Sequence, residues 1–458
     1  MRQQLLAGIY LIVGISSFAQ TMRETDFIEG VKRNHPLLSI GKIQPQVGQA
    51  ILLKAKGNFD PKFFGNLNQK YFDGKQYYSN SDFGIKYPTY LGLTLKTGME
   101  SNRGSYLDPQ AKTPAGGLFY GGISANLGQG LLIDARRAEL RNATLQVKSS
   151  QEEQRLQINQ LLYQAGYAYW DWFLAKHSVT ILTEAYDVAV QRFVAVKTTA
   201  NLGDRAFIDT VEAGLQVQNR LSLLRDAEAN LQERTNVLKT YLWDDNLVVG
   251  SLSLEASPEP SANITPSNSL IAWNDTLVIN HPYLKINAFK LDMLNVDRKL
   301  KSDRLKPFVE LNYNLLNEPV NYNPFSDLDI NDYKWGVSIA MPLFLRKERG
   351  DLALAGLKIQ ETEAGILNLQ AQLSMKIKNA IIDLNNSVVQ WQIYQQTMDD
   401  SKQLLEAEKN MFENGESSLF LINMRELSYI QSQLKLLEWK AKNQQFRYAF
   451  GFATATLF

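Results

Sequence analysis

Between Gly350 and Asn414 the chain has no proline, and Leu369, Leu373, Ile377, Ile381, Leu384, Val388 and Trp391 follow one another three or four residues apart. That spacing places them on one face of an α-helix. At a rise of 1.5 Å per residue the helix would be on the order of 100 Å long, several times the width of an ordinary domain. Asp134 to about Asn201 has the same character. The two runs end in Asn201-Leu202-Gly203-Asp204 and Asn414-Gly415-Glu416, and glycine there supplies the left-handed conformation that stops a helix. Returning helices are predicted from Arg205 to Trp243 and from Ser418 to about Phe450.

Elsewhere the period is two. Leu91, Leu93 and Leu95 oppose Gly92, Thr94 and Lys96, and Phe119, Ile123, Ala125 and Leu127 oppose Gly122, Ser124 and Asn126. Val309, Leu311, Tyr313 and Leu315 oppose Glu310, Asn312 and Asn314; Trp335, Val337, Ile339 and Met341 oppose Lys334, Gly336, Ser338 and Ala340. This predicts four strands, over about 87–101, 116–128, 307–316 and 332–343, each with one apolar and one polar face. Tyr87, Tyr90, Tyr120, Phe308, Tyr333 and Phe344 crowd their ends. Lipid outside and water inside suits such strands, with Leu91, Leu93, Leu95, Ile123, Val309, Leu311, Trp335, Val337 and Ile339 facing lipid. A soluble sandwich edge has the same alternation, and pattern alone leaves both open.

The chain is written twice. Asn34-His35-Pro36-Leu37-Leu38 returns as Asn280-His281-Pro282-Tyr283-Leu284, a shift of 246. Gly122-Ile123-Ser124 and Phe207-Ile208-Asp209 return as Gly336-Val337-Ser338 and Leu421-Ile422-Asn423, a shift of 214. Pairing Pro88 with Pro307 puts most of the difference, 32 residues, before Pro88, so an insertion is expected over about 50–86. The predicted order is a first repeat over 21–243 ending in a helical hairpin over 134–243. A proline- and serine-rich linker over 244–271 follows, then a second repeat over 272–458 with its hairpin over 349–450.

Composition narrows the chemistry. Forty-eight basic residues balance 47 acidic ones, so no field attracts nucleic acid. Cysteine is absent, which excludes disulfides and thiolate metal sites. The three histidines, His35, His177 and His281, include two at equivalent repeat positions, where a recurring helix boundary explains them better than a metal pair. No phosphate-binding or nucleophile-elbow motif occurs, so no catalytic, cofactor or metal residue is assigned. Arg2, the apolar run Leu5 to Ile15 and the small residues up to Ala19 read as a signal peptide over 1–20; a single N-terminal membrane anchor is the alternative, for which the apolar run is short. Beyond it no segment approaches the ~20 apolar residues of a membrane helix. Any crossing must therefore use strands closed into a barrel. Four strands fall short of the roughly eight of the smallest barrels, so several chains are needed, and four from each of three gives twelve.

Three tracts carry a resemblance: Gly128-Gln129-Gly130-Leu131-Leu132-Ile133-Asp134-Ala135-Arg136-Arg137-Ala138, Pro342-Leu343-Phe344-Leu345-Arg346-Lys347-Glu348-Arg349-Gly350, and Gly415-Glu416-Ser417-Ser418-Leu419-Phe420-Leu421. With the duplicated strand and helix order they resemble the TolC-like outer membrane efflux protein family. The resemblance implies a mostly α fold with a membrane β-barrel part: a homotrimeric, twelve-stranded barrel in the outer membrane, continued into the periplasm by an α-helical barrel. It implies a passive exit channel for small molecules, partnered by a periplasmic adaptor (membrane fusion protein) and an inner-membrane pump of the RND or ABC type. The insertion departs from that pattern.

In the resembled family, acids just past the tip turns narrow the closed channel and favour cations. The matching positions are Asp209 and Asn423, with Glu212 and Glu426 one turn on; Arg205 and Arg425 are candidate latch partners. Solvated helix-surface acids would read the same way. The turns, with Leu202, Gly203, Asp204, Gly415, Glu416, Ser417 and Ser418, are where an adaptor would dock; a plain helical hairpin turn has the same composition. A protein-secretion outer membrane channel (type I) and a periplasmic coiled-coil adaptor remain alternatives, the latter with no use for lipid-compatible strands.

Overall fold

The computed structural model describes residues 21–244, 248–249, 256–261, 272, 274–319 and 329–457. The predicted signal peptide lies outside them, as does most of the predicted linker. In chain order the elements are β1 (Thr21–Met22), α1 (Glu24–Asn34), α2 (Pro36–Lys56), β2 (Lys62–Phe72), β3 (Lys75–Pro88), β4 (Leu93–Arg103), β5 (Leu118–Asn126), α3 (Ala135–Asn201), α4 (Phe207–Lys239), β6 (Ser257–Pro258), α5 (Thr276–Ile279), α6 (Pro282–Asp303), β7 (Phe308–Asn317), β8 (Tyr333–Ala340), α7 (Arg346–Glu413) and α8 (Leu419–Thr454). They form two compact units: Met1–Ile40, Gln157–Val278 and Leu373–Phe458 make one, and Gly41–Leu156 with Ile279–Gln372 the other.

The second unit is built on one antiparallel sheet of order β2-β3-β4-β5-β7-β8. Six strands stand where four were predicted. The tract read as an insertion supplies the difference: residues 50–56 complete α2, and β2 and β3 form a hairpin on the edge of the sheet. Asp73 (φ 52°) and Gly74 (φ 72°) turn it, both in the positive-φ region that a two-residue hairpin loop of the right twist requires. In the second repeat, α6 reaches β7 after only the short segment 304–307.

His281 caps α6 through Nδ1, which accepts from the Tyr283 N–H at 3.1 Å. The strand β5 leaves the sheet through Gly128, where a Cβ would strike the Pro307 carbonyl oxygen. Gly130 (φ 88°) then donates its N–H to the buried Asp303 at 2.5 Å, and the Arg137 guanidinium reaches back to the Gly130 and Leu131 carbonyls. These contacts convert strand into helix within a few residues.

The other unit packs α1, the later parts of α3 and α7, and α4 and α8. Its core holds Trp170, Trp172, Tyr169 and Phe173 of α3 with Leu238 of α4 and Leu437 and Ala441 of α8. Trp170 Nε1 donates to Glu24 at 3.2 Å and the Tyr169 hydroxyl to the Met22 carbonyl at 2.8 Å, so the polar handles of these two buried rings are satisfied. His35 repeats the cap of His281, accepting from the Leu37 N–H at 3.2 Å. The same Asn-His-Pro boundary thus starts α2 and α6.

Candidate conduit wall and helical tips

Residues directly opposite in adjacent strands point to the same face, so the register decides whether the alternation seen along each strand adds up across the sheet. It does. Phe63 faces Ile85 and Gly65 faces Phe83; Phe83 faces Met99 and Tyr87 faces Leu95; Leu95 faces Ile123 and Leu93 faces Ala125. Ala125 then faces Leu311 and Ile123 faces Tyr313, and Val309, Leu311 and Tyr313 face Ile339, Val337 and Trp335. One face is apolar from edge to edge, and it is uncovered: Trp335 is 62% exposed, Ile339 71% and Phe63 75%. The opposite face carries Asn66, Asn68, Asp82, Lys86, Lys96, Glu100, Glu310, Asn312 and Lys334. Lys96 donates to Asn312 at 3.0 Å on that face.

Of the nine residues predicted to face lipid, eight lie in strands on the apolar face. Leu91 does not: it sits in the turn between β3 and β4, where Gly92 (φ 86°) breaks the ladder.

The tips follow one pattern. Gly203 (φ 86°) and Gly415 (φ 78°) take the left-handed conformation. The Asp204 and Glu416 N–H groups reach back to the Thr199 and Met411 carbonyls at 3.1 and 2.8 Å, and Gly203 and Gly415 to Ala200 and Phe412, the paired bonds of a helix C-terminal cap. The turn glycines are 212 residues apart, not 214. Asp209 and Asn423 therefore stand at different distances from their turns and are not equivalent.

Beyond the turns the structure brings together Glu212, Asn423 and Glu426, adding Arg192 of α3, which sequence reasoning missed. Arg192 Nη1 lies 2.5 Å from Glu426 Oε2 and Nη2 3.2 Å from Oε1, and Nη1 also donates to Asn423 Oδ1 at 3.0 Å. The Asn423 amide donates to Glu212 at 3.1 Å. Asn423 and Glu426 are buried, as is Arg220. Burial lowers the Arg220 pKa; the charge of Glu426 opposes this and that of Arg192 adds to it. The cluster ties α3, α4 and α8 together over a small apolar core of Val196, Ala213, Leu405, Leu419 and Ile422.

Arg205 and Asp209 approach at 4.0 Å near the start of α4, both part-exposed, and the Arg205 guanidinium lies 4.5 Å from the centroid of the Phe412 ring. Arg425 does not pair with the acids of its own turn. It faces Glu408 of α7 at 3.5 Å, which also accepts from the Ser417 hydroxyl. The predicted small, polar tips are flanked by exposed apolar groups: Leu202, Phe207, Ile208, Phe420, Leu421 and Met424. Their signal was available only in part: large apolar residues crowd the first turns of both returning helices, but Leu419 and Ile422 of the same turn enter the small core while Phe420, Leu421 and Met424 do not.

No family model matches the sequence, and no curated protein matches it. Solved structures do match over nearly the whole chain. The Campylobacter jejuni CmeC outer membrane channel superposes with a TM-score of 0.66 at 14% identity, covering 95% of this chain and 86% of that one. The outer-membrane channel OprN gives 0.69 at 12%, covering 94% and 89%. The open state of the Neisseria gonorrhoeae MtrE outer membrane channel gives 0.66 at 13%, covering 94% and 88%. The fold is therefore that of bacterial outer membrane channels. More narrowly it is the TolC-like fold, and the resemblance drawn from the sequence is met at the level of fold.

Proposed function

We propose that this chain is one subunit of an outer membrane exit duct of an export system, its strands in the outer membrane and its helices in the periplasm. It conducts small molecules passively, receiving them from an inner-membrane pump through a periplasmic adaptor, and makes or breaks no bonds. The observation that carries this reading is the register-matched pair of faces across the sheet. Water on both sides would leave an apolar band of six strands exposed, whereas lipid on one side and a water-filled lumen on the other satisfy both faces. The sheet's unpaired edges require further copies, because backbone groups in lipid must find partners. The family resemblance supports three. The exposed apolar groups at the tips are the adaptor surface.

Within the tips the acids divide. Glu426, Asn423 and Arg192 hold the hairpins of one subunit together, while Asp209 and Glu212 set the charge of the narrow end of the duct. Purified from membranes in detergent, the oligomer is expected to open discrete channels in planar bilayers. Asp209→Ala combined with Glu212→Ala is expected to change conductance or cation preference. Unchanged values would remove both residues from the constriction, and no channel at all would remove the duct.

A further inference from the structure

We propose that the hairpin β2–β3 is part of the transmembrane wall, so that each subunit donates six strands and β2 of one copy pairs with β8 of the next. The proposal rests on the duct reading.

The hairpin is long enough to cross. β2 has 11 residues and β3 has 14, against the roughly 9–11 of a tilted spanning strand. It continues the two-faced pattern, with Phe63, Leu67, Phe83 and Ile85 on the apolar side and Asn66, Asn68, Asn80 and Asp82 on the polar side. It is also laced into the sheet. The Tyr120 hydroxyl of β5 donates to Asp82 of β3 at 2.8 Å, passing over β4 at Gly98, where a Cβ would lie 2.6 Å from that hydroxyl oxygen. Phe83 lies against Gly65 and Phe64 against Gly84, each ring 2.8 Å from where a Cβ would be. Aromatic rings over strand glycines pin register: two such pairs lock β2 to β3, and Tyr120, reaching over Gly98 to Asp82, ties the hairpin to the rest of the sheet.

The uncovered edges are then β2 and β8. Ten of the eleven residues of β2 and all eight of β8 are exposed. All five pairings in the sheet are antiparallel, so the first and sixth strands run in opposite directions. A second copy added at that edge keeps the antiparallel pattern and lets a ring of identical copies close. Three copies would enclose about eighteen strands instead of about twelve. Diameter grows roughly linearly with strand number, so the bore would be about half again as wide.

The cysteine-free sequence makes the test direct. Cysteine pairs placed as Phe63→Cys or Leu67→Cys with Trp335→Cys, Val337→Cys or Ile339→Cys are treated in membranes with a short bifunctional thiol reagent. The comparison set pairs Leu95→Cys or Met99→Cys with the same β8 positions. The expected result is a ladder of covalent oligomers from at least one β2–β8 pair and none from the β4–β8 set. A ladder from β4–β8 pairs, or from neither set, overturns the proposal. Carbonate extraction separates this from failure of the duct reading. An oligomer that still needs detergent leaves the duct standing without the hairpin, and a monomer released by carbonate sinks both.

Discussion

Arg192 and Glu426 meet through two short contacts in a place with little water: their side chains are 14% and 8% exposed. Arg220 is buried beside the same carboxylate. Truncating Glu426 strands two guanidinium groups, and breaking a buried pair from one side costs about 3–5 kcal/mol. Glu426→Ala is expected to lower the denaturant midpoint of the detergent-solubilised protein by that order. Glu228→Ala, in the exposed pair with Arg225, is expected to cost under about 1 kcal/mol. Equal effects would deny the cluster its role as a latch. The acids after the tips were legible as a group in the sequence. Their burial was not, because the partner Arg192 lies 234 residues away from Glu426. Histidine supplies a second residue-scale prediction. Burial lowers the pKa of His35 and of His177, and His35 Nδ1 accepts a backbone N–H, which a protonated ring nitrogen cannot do. Unfolded histidine takes its proton near 6.5; the folded side chains take theirs at lower pH. Between those values the unfolded state binds more protons, so stability is full above about pH 6.5 and falls as pH drops, levelling below the folded pKa values. Denaturation at pH 7 and pH 5 checks this. A variant carrying His35→Gln and His177→Gln is expected to show a shallower pH slope, and an unchanged slope would assign the effect to other groups.

At the scale of elements, glycines under aromatic rings pin β2 against β3 and β4 against β5. Gly98→Val would crowd the Phe83 carbonyl of β3 and drive Tyr120 off β4, cutting its bond to Asp82, an overpacking cost of about 1–3 kcal/mol. It is expected to expose residues 62–88 to limited proteolysis, whereas Tyr120→Phe, which loses only a hydrogen bond worth about 1 kcal/mol, is expected to leave them protected. Equal protection in both variants would mean the ring over Gly98 does not bind the hairpin. The hairpin escaped sequence reading for two reasons. The second repeat has no counterpart to it, and the adjacent rings Phe63 and Phe64 occupy both faces and blur the alternation. The Asp73-Gly74 turn was the missed signal. Leu91 erred the other way, since a period of two ran on through a turn that only the positive φ of Gly92 reveals. The long helices were far more legible. α3 and α7 span 67 and 68 residues, enough turns for the 3.6-residue pattern to outweigh local exceptions, and each ends within a residue or two of its tip glycine.

At the scale of the whole molecule the mostly helical class, the paired strands and the long helical hairpins were all readable, because each follows from a period repeated many times. What pairs with the edges of the sheet was not, since one chain leaves β2 and β8 open. The central claim is that one face of the sheet meets lipid and the other water. Single cysteines along β7 and β8, in a chain that has none of its own, test it most directly with a water-soluble maleimide applied to membrane-embedded protein. Asn312→Cys, Lys334→Cys and Ser338→Cys are expected to label, and Leu311→Cys, Trp335→Cys and Val337→Cys to resist until detergent is added. Equal labelling on the two faces, or fast labelling of the apolar set in intact membranes, would contradict the account.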